Sequence, residues 1–333
     1  MELSTRKGVV KVNVNTIENL PDERKRIKLS NEVKSKIKKD IENMPKSKLK
    51  QKEFKNEFWG YVDNNEKHAQ YDLPIIYVEQ LNEFKSQKDL FECVKPKQYL
   101  GQHYKMINKS CMCVDKKTGR ILWIFITAED DPALSYCLKD AEEVIEGFDK
   151  YVPKKSGTFY SQNYYVGATT WKQDEKRDRP RELEQRYMGV NWLDGLQRFL
   201  DGSRGHNFIC YYKMKKEGQS DMDWRYKEAR LYTLLYALEK RYAPSVAQFR
   251  LDLAERVGFV GCLPDLDIKL NPSTSMGASI DFCSSFHKDS SVKGTIECII
   301  WKKSQKKILY FGMTYGTADK ICVMFLKSQA LRV

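Results

Sequence analysis

Asn271-Pro-Ser-Thr-Ser-Met-Gly-Ala-Ser-Ile-Asp-Phe-Cys-Ser-Ser-Phe-His-Lys-Asp-Ser-Ser-Val-Lys-Gly-Thr-Ile-Glu-Cys-Ile-Ile-Trp301 is the part of the chain on which the architecture turns. Within it, His287-Lys288-Asp289 sits between two stretches of strand-like character. Residues two apart on a strand point to the same face, so an imidazole and a carboxylate at this spacing can reach one cation. They would supply two of the three ligands of a 2-His-1-carboxylate triad, a set that leaves positions on Fe(II) open for a co-substrate and O₂. The bland alternative is a surface or turn histidine beside an acid, because His-x-Asp is short enough to arise by chance.

The surroundings add to the pair. The Asn271-Pro-Ser-Thr-Ser-Met-Gly277 lead-in, the run Asp281-Phe-Cys-Ser-Ser-Phe286, His287-x-Asp289 and the following Gly294-Thr-Ile-Glu-Cys-Ile-Ile-Trp301 together resemble the iron-binding segment of the TET/JBP family of nucleic-acid dioxygenases. The likeness is to the algal and fungal branch that modifies 5-methylcytosine in DNA. It extends back to about Tyr226 and is architectural before that.

The resemblance implies an α+β protein whose core is a distorted double-stranded β-helix, a jelly roll with helices buttressing one face. It implies Fe(II) held by His287, Asp289 and a distal histidine on a later strand, with 2-oxoglutarate or ascorbate as co-substrate. In the ascorbate branch a glyceryl fragment is transferred to the methyl group. A target base has to leave the duplex stack to reach such a metal, so methylated DNA and a basic groove are the implied partner and its seat. The chain departs from the pattern in one respect. Its histidines are His68, His103, His206 and His287, and none follows Asp289. Two explanations stay open: a shortened form of a longer enzyme lacking its C-terminal strands, or a degenerate copy that kept the fold and lost the metal site. His206, in a turn with no companion acid, is a poor substitute ligand. Arg332 cannot be assigned as the co-substrate arginine, which in the family follows the missing histidine.

Composition bounds the rest. The 333 residues carry a formal charge of +13, with 41% hydrophobic and 31% charged residues, which points to a real core and to acidic partners, nucleic acid first. Nine scattered cysteines without C-x-x-C spacing read as reduced, structural thiols of an intracellular protein. The N-terminus lacks the apolar core of a signal peptide, and the longest apolar run, Ile121–Ile126, is too short to span a membrane. A monomer in the nucleus or cytoplasm is expected. No Walker loop, G-x-S-x-G elbow or H-E-x-x-H occurs, and Asp265 and Asp267 read as solvated turn acids.

Taken in order, residues 1–56 form a basic, partly mobile N-terminal arm ahead of a dioxygenase-like domain over 57–333. Between Asp22 and Lys55 thirteen basic residues face six acidic ones, +7 of the total +13. Such a segment suits phosphate contacts, and Arg24-Lys25-Arg26-Lys28 has the look of a nuclear address. Val33, Ile37 and Ile41 recur every four residues and predict a helix over 30–43, ended by Pro45. Strands are predicted at 73–78, 110–114, 120–128, 156–170, 307–313 and 320–326, with Gly119 turning a hairpin. Helices are predicted at 80–88, from Asp131-Pro132 to about Tyr151, at 191–201, at 223–241, and from Pro244 with Val246, Phe249, Leu253 and Val257 inward. Lys172–Arg181 is a charged loop.

Overall fold

The computed structural model describes residues 2–5, 8–11, 26–51, 71–78, 109–119, 121–153, 190–201, 206–257, 261, 263, 266–273, 275–280, 297–304, 307–314 and 322–323. In chain order these form β1 (Glu2–Thr5), β2 (Gly8–Lys11), α1 (Asn31–Glu42), β3 (Ile75–Val78), β4 (Cys111–Asp115), β5 (Ile121–Phe125), α2 (Ala133–Cys137), α3 (Ala141–Tyr151), β6 (Val190–Asp201), β7 (His206–Tyr211), α4 (Lys216–Ser220), α5 (Met222–Tyr242), α6 (Pro244–Val257), β8 (Ser275–Ile280), β9 (Glu297–Ser304), β10 (Lys307–Thr314) and β11 (Cys322–Val323). The molecule is α+β.

Helix α5 is the centre. Asp221 caps it by accepting from the Trp224 N–H at 3.1 Å, and Tyr151 donates to the same carboxylate at 2.7 Å. These bonds hold the Asp221 carboxyl below the usual range even though burial acts to raise it. The helix ends at Ala243, because a residue preceding proline is driven out of helical geometry, and Pro244 then opens α6. The predicted face of α5 is buried at Tyr226, Ala229, Leu231, Leu234, Leu235 and Leu238, but so are Trp224, Arg225, Glu228, Arg230, Tyr232 and Glu239. A helix buried on nearly all sides shows no single apolar stripe.

Its neighbours are α1, α2, α3, α4 and α6. Helix α1 starts at Ser30, whose hydroxyl accepts from the Val33 N–H at 3.2 Å. Leu29, Val33 and Ile37 are buried and Ile41 packs on the same cluster. Residues 26–51 of the basic N-terminal segment are thus built into the core on one face; its expected end at residue 56 lies outside the described residues. Helix α3 approaches α5 closely at Gly147, where an added Cβ would sit 1.7 Å from the Trp224 indole nitrogen. That indole donates to the Val144 carbonyl at 3.2 Å.

Strands form three sheets among the described residues: β1-β2, β3-β4-β5, and a six-stranded sheet in the order β11-β9-β10-β8-β6-β7. The large sheet is antiparallel except where β11 runs parallel to β9. Trp192 pairs with Ala278 and Asp194 with Met276 across β6 and β8. All four are buried, as alternation on one sheet face requires. Helices α3 and α5 lie against this sheet. The hairpin β4–β5 forms as predicted, with Gly119 at φ +68°.

Three expectations are corrected. Residues 190–201 are a strand and not a helix, because β6 is hydrogen-bonded on both sides, to β7 and β8. The helix expected from 131 to 151 is two, α2 and α3. At the break Arg230 takes the Tyr136 and Cys137 carbonyls at 2.7 and 3.3 Å, replacing the bonds that a continuous helix would make. The buried side of α6 is Val246, Ala247, Arg250, Leu251 and Ala254, while Phe249 and Leu253 are half-exposed. Of the strand expected at 320–326, the described part is Cys322–Val323, which is β11. Expectations at 80–88, 156–170, 172–181, Asp265 and Arg332 lie outside the described residues.

Ile37→Ala should cost about 2–5 kcal/mol, the range for deleting a buried aliphatic chain. Lys38→Ala, one residue on and exposed, should stay within about 0.5 kcal/mol. Urea unfolding of both variants checks this, and equal costs would show that α1 does not dock as described.

Candidate functional site

The strands that bracket the His-x-Asp stretch are part of the large sheet. Asn271 and Ser273 ahead of β8 are buried, and the Ser273 N–H donates to the Asn271 side-chain carbonyl at 2.8 Å. Such a bond stabilises a turn, so the Asn-Pro-Ser lead-in is a buried corner feeding β8. Gly261, at φ +76°, packs beneath it; a Cβ there would lie 3.3 Å from the Asn271 carbonyl. Strands β8 and β9 flank β10 and both run antiparallel to it. The end of β8, Ile280, pairs with Leu309, while the start of β9, Glu297, pairs with Thr314. They therefore sit at opposite ends of β10.

His287 and Asp289 lie between those two points, outside the described residues, as do His68 and His103. His206 is not in a turn: it opens β7 and pairs with Asp201. No group of three or more His, Cys, Asp or Glu side chains arranged for a metal occurs among the described residues.

What the structure does bring together is buried charge. Arg26 reaches into the core and donates to the Asp194 carboxylate at 2.8 Å and to the Tyr212 carbonyl at 2.5 Å. On α5, Arg225 lies 3.4 Å from Glu228, and all four charged side chains have no exposed surface. Burial would raise the Asp194 carboxyl, but Arg26, the neighbouring Glu228 carboxyl and Arg225 outweigh it and hold it below its ordinary range. Glu228 goes the other way: burial, offset in part by Arg225 and reinforced by Asp194, pushes it well up. The two carboxyls are thus shifted in opposite directions, Asp194 down beside Arg26 and Glu228 up. Closed off from solvent, this cluster binds Arg26 to β6 and α5; it has no face to offer a substrate.

Two further clusters fasten the N-terminal segment. Asp40 on α1 accepts from Tyr136 at 2.9 Å and from Tyr226, with Arg230 Nε at 3.3 Å. Burial acts to raise its carboxyl, and these donors lower it further than burial raises it. Asp131, fully buried, accepts from Arg241 at 2.9 and 2.7 Å, from Tyr242 at 2.6 Å and from the Ala133 N–H at 2.9 Å. Arg241 then donates to the Pro45 carbonyl at 2.8 Å, and Tyr242 meets the Ser47 hydroxyl at 3.0 Å. Of these residues, Arg26 read in the sequence as one more solvated base, and Asp40 as one of six acids. Only the Trp192-x-Asp194 alternation hinted at a buried carboxylate. Cys137, buried between α2 and α5, has its thiol pushed up to about 12 by burial, in keeping with a structural role.

No protein-family model matches the chain, and no curated protein matches it.

Arg26→Met should cost about 3–5 kcal/mol by leaving the Asp194 carboxylate buried without its cation. The double variant Arg26→Met/Asp194→Leu should recover a large part of that loss. Glu228 gives a pH signature. Its folded carboxyl is raised above the ordinary 4.5, so the stability it lends is full below that value and drains as pH rises toward the folded one. Glu228→Gln, neutral at every pH, should therefore gain on wild type as pH rises above about 4.5. Unfolding free energies across that range test it; a constant difference would mean that Glu228 is ionised in the fold.

Proposed function

We propose that this chain is an Fe(II)-dependent dioxygenase-like protein that acts on 5-methylcytosine in DNA, with 2-oxoglutarate or ascorbate as co-substrate. The observation that carries the reading is the His287-x-Asp289 pair in its sequence setting, between a Ser/Met/Gly-rich strand and a Glu-Cys-Ile-Ile-Trp strand. A largely antiparallel sheet with helices along it is compatible with a jelly-roll core, the finer architecture proposed with it. In this reading His287 and Asp289 contribute two iron ligands, and bound iron would activate O₂ toward the methyl group. The chain's own part is to hold the pair on one side of the connection between β8 and β9 and to seat anionic DNA against its basic surface.

A second reading is a nucleic-acid-binding protein on the same fold without catalysis. It is favoured by the +13 charge. Nuclear or cytoplasmic residence accompanies either reading. Among the described residues no helix is long and apolar enough to cross a membrane.

Anaerobic reconstitution with Fe(II), followed by metal analysis and assay on methylcytosine DNA, separates the two. Under the first reading the protein retains iron and oxidises the base in an iron-dependent way, and His287→Ala or Asp289→Ala abolishes both. Unchanged turnover in either variant would refute the ligand assignment. Salt-sensitive DNA binding with no retained iron would select the second reading.

A further inference from the structure

The segment Pro45-Lys46-Ser47-Lys48-Leu49-Lys50 has an alternation that the charge count alone conceals. Lys46, Lys48 and Lys50 are exposed, whereas Ser47 and Leu49 are half-buried. Ser47 meets Tyr242 at 3.0 Å and Leu49 packs on the core. The backbone, which bends at Leu49, is held from several sides. The Pro45 carbonyl accepts from Arg241, the Lys48 N–H donates to the Asp130 carbonyl at 2.8 Å, the Asp72 N–H donates to the Lys50 carbonyl at 2.9 Å, and Gln51 bridges to Tyr71. The Leu49 N–H donates to the Ser47 hydroxyl at 3.2 Å.

We infer that Lys46, Lys48 and Lys50 form a rigid comb that follows the phosphate backbone of a nucleic-acid strand. An anchored backbone spares the entropy of arranging three separate cations. None of the three ammonium groups is paired with a carboxylate among the described residues. Of the acids on the elements that hold the segment, Asp131 is paired with Arg241 and Tyr242, while Asp130, exposed Glu129 and exposed Asp72 keep their charge. An anionic membrane is the weaker fit, since interfacial binding also needs apolar groups to insert. The exposed large hydrophobics among the described residues are Ile27 and Tyr77, neither of them in the comb. Contacts of this kind give affinity and register without base choice. The inference rests on the nucleic-acid-binding part of the proposed function and not on the metal.

The test uses the full chain, a fluorescein-labelled DNA duplex of mixed unmethylated sequence, and anisotropy titrations over a range of salt. Lys46→Gln/Lys48→Gln/Lys50→Gln should flatten the slope of log affinity against log salt by about 2–3 units, since each phosphate contact contributes about 0.9. Its thermal unfolding should match wild type, because the three ammonium groups have no partner within the described fold. A control of equal charge loss, Lys116→Gln/Lys117→Gln/Lys216→Gln, should change the slope by less than about 1 unit. If wild type shows no salt-dependent binding, the nucleic-acid reading falls together with the comb. If wild type binds and the comb variant keeps its slope, or the control loses as much, the comb alone falls. Stronger competition by polyglutamate or by phosphatidylserine vesicles than by unlabelled duplex at equal charge would also overturn it.

Discussion

A charge taken out of water must meet its opposite there, and α5 carries four such charges. Arg225, Glu228, Arg230 and Glu239 are all buried, and a lone buried ion would cost far more than the marginal stability of a domain permits. Each finds its partner on a different part of the molecule or on the helix itself. Arg225 and Glu228 lie beside Arg26 and Asp194; Arg230 reaches Asp40 and Asp140; Glu239 pairs with Arg250 on α6. This requirement ties α1, the α2–α3 break, β6 and α6 to one helix. Apolar packing supplies most of the driving force, and the charge pairs decide which elements dock where.

The same requirement gives the basic N-terminal segment two faces. Inward, Arg26, Leu29, Val33, Ile37, Asp40, Ser47 and Leu49 join the core or its polar clasps. Outward, the lysines remain on a surface that is held in place by backbone bonds. Cations fixed in this way present a definite geometry to an anionic partner, where a tether would offer only local concentration. Removing the segment would consequently disturb the fold and the charge together, which is why single-face substitutions are the informative ones.

Much of the helical architecture was legible from local pattern. Ser30 capping α1, Asp221 and Pro244 bounding α5, and Gly119 turning the β4–β5 hairpin each act within a few residues. The stripe Leu134, Leu138, Ala141, Val144, Ile145 and Phe148 is buried throughout, although the helix carrying it is broken at 138–140. The break could not be read there, because the group that occupies the freed carbonyls is Arg230, more than ninety positions away. Val190–Asp201 misled for a similar reason: its strand state depends on β7 and β8 bonding to both of its edges. Of the candidate site, the sequence offered the His287-x-Asp289 pair and the strands on either side of it. Both strands are present, with β10 between them.

By itself the sequence determined the short-range features: helix starts and stops, the hairpin, the strongly basic character of residues 22–55, and a donor pair suited to a cation. These follow from sterics, capping bonds and charge count, which a window of a few residues already contains. Tertiary structure alone decided that Arg26 is an interior residue, because its partner Asp194 is 168 positions away. It also decided that the Glu228 carboxyl is raised above its ordinary range, since only the packed helix removes the water that would stabilise its anion. And it decided that the backbone carrying Lys46, Lys48 and Lys50 is anchored, because the bonds that hold it come from Arg241, Asp130 and Asp72.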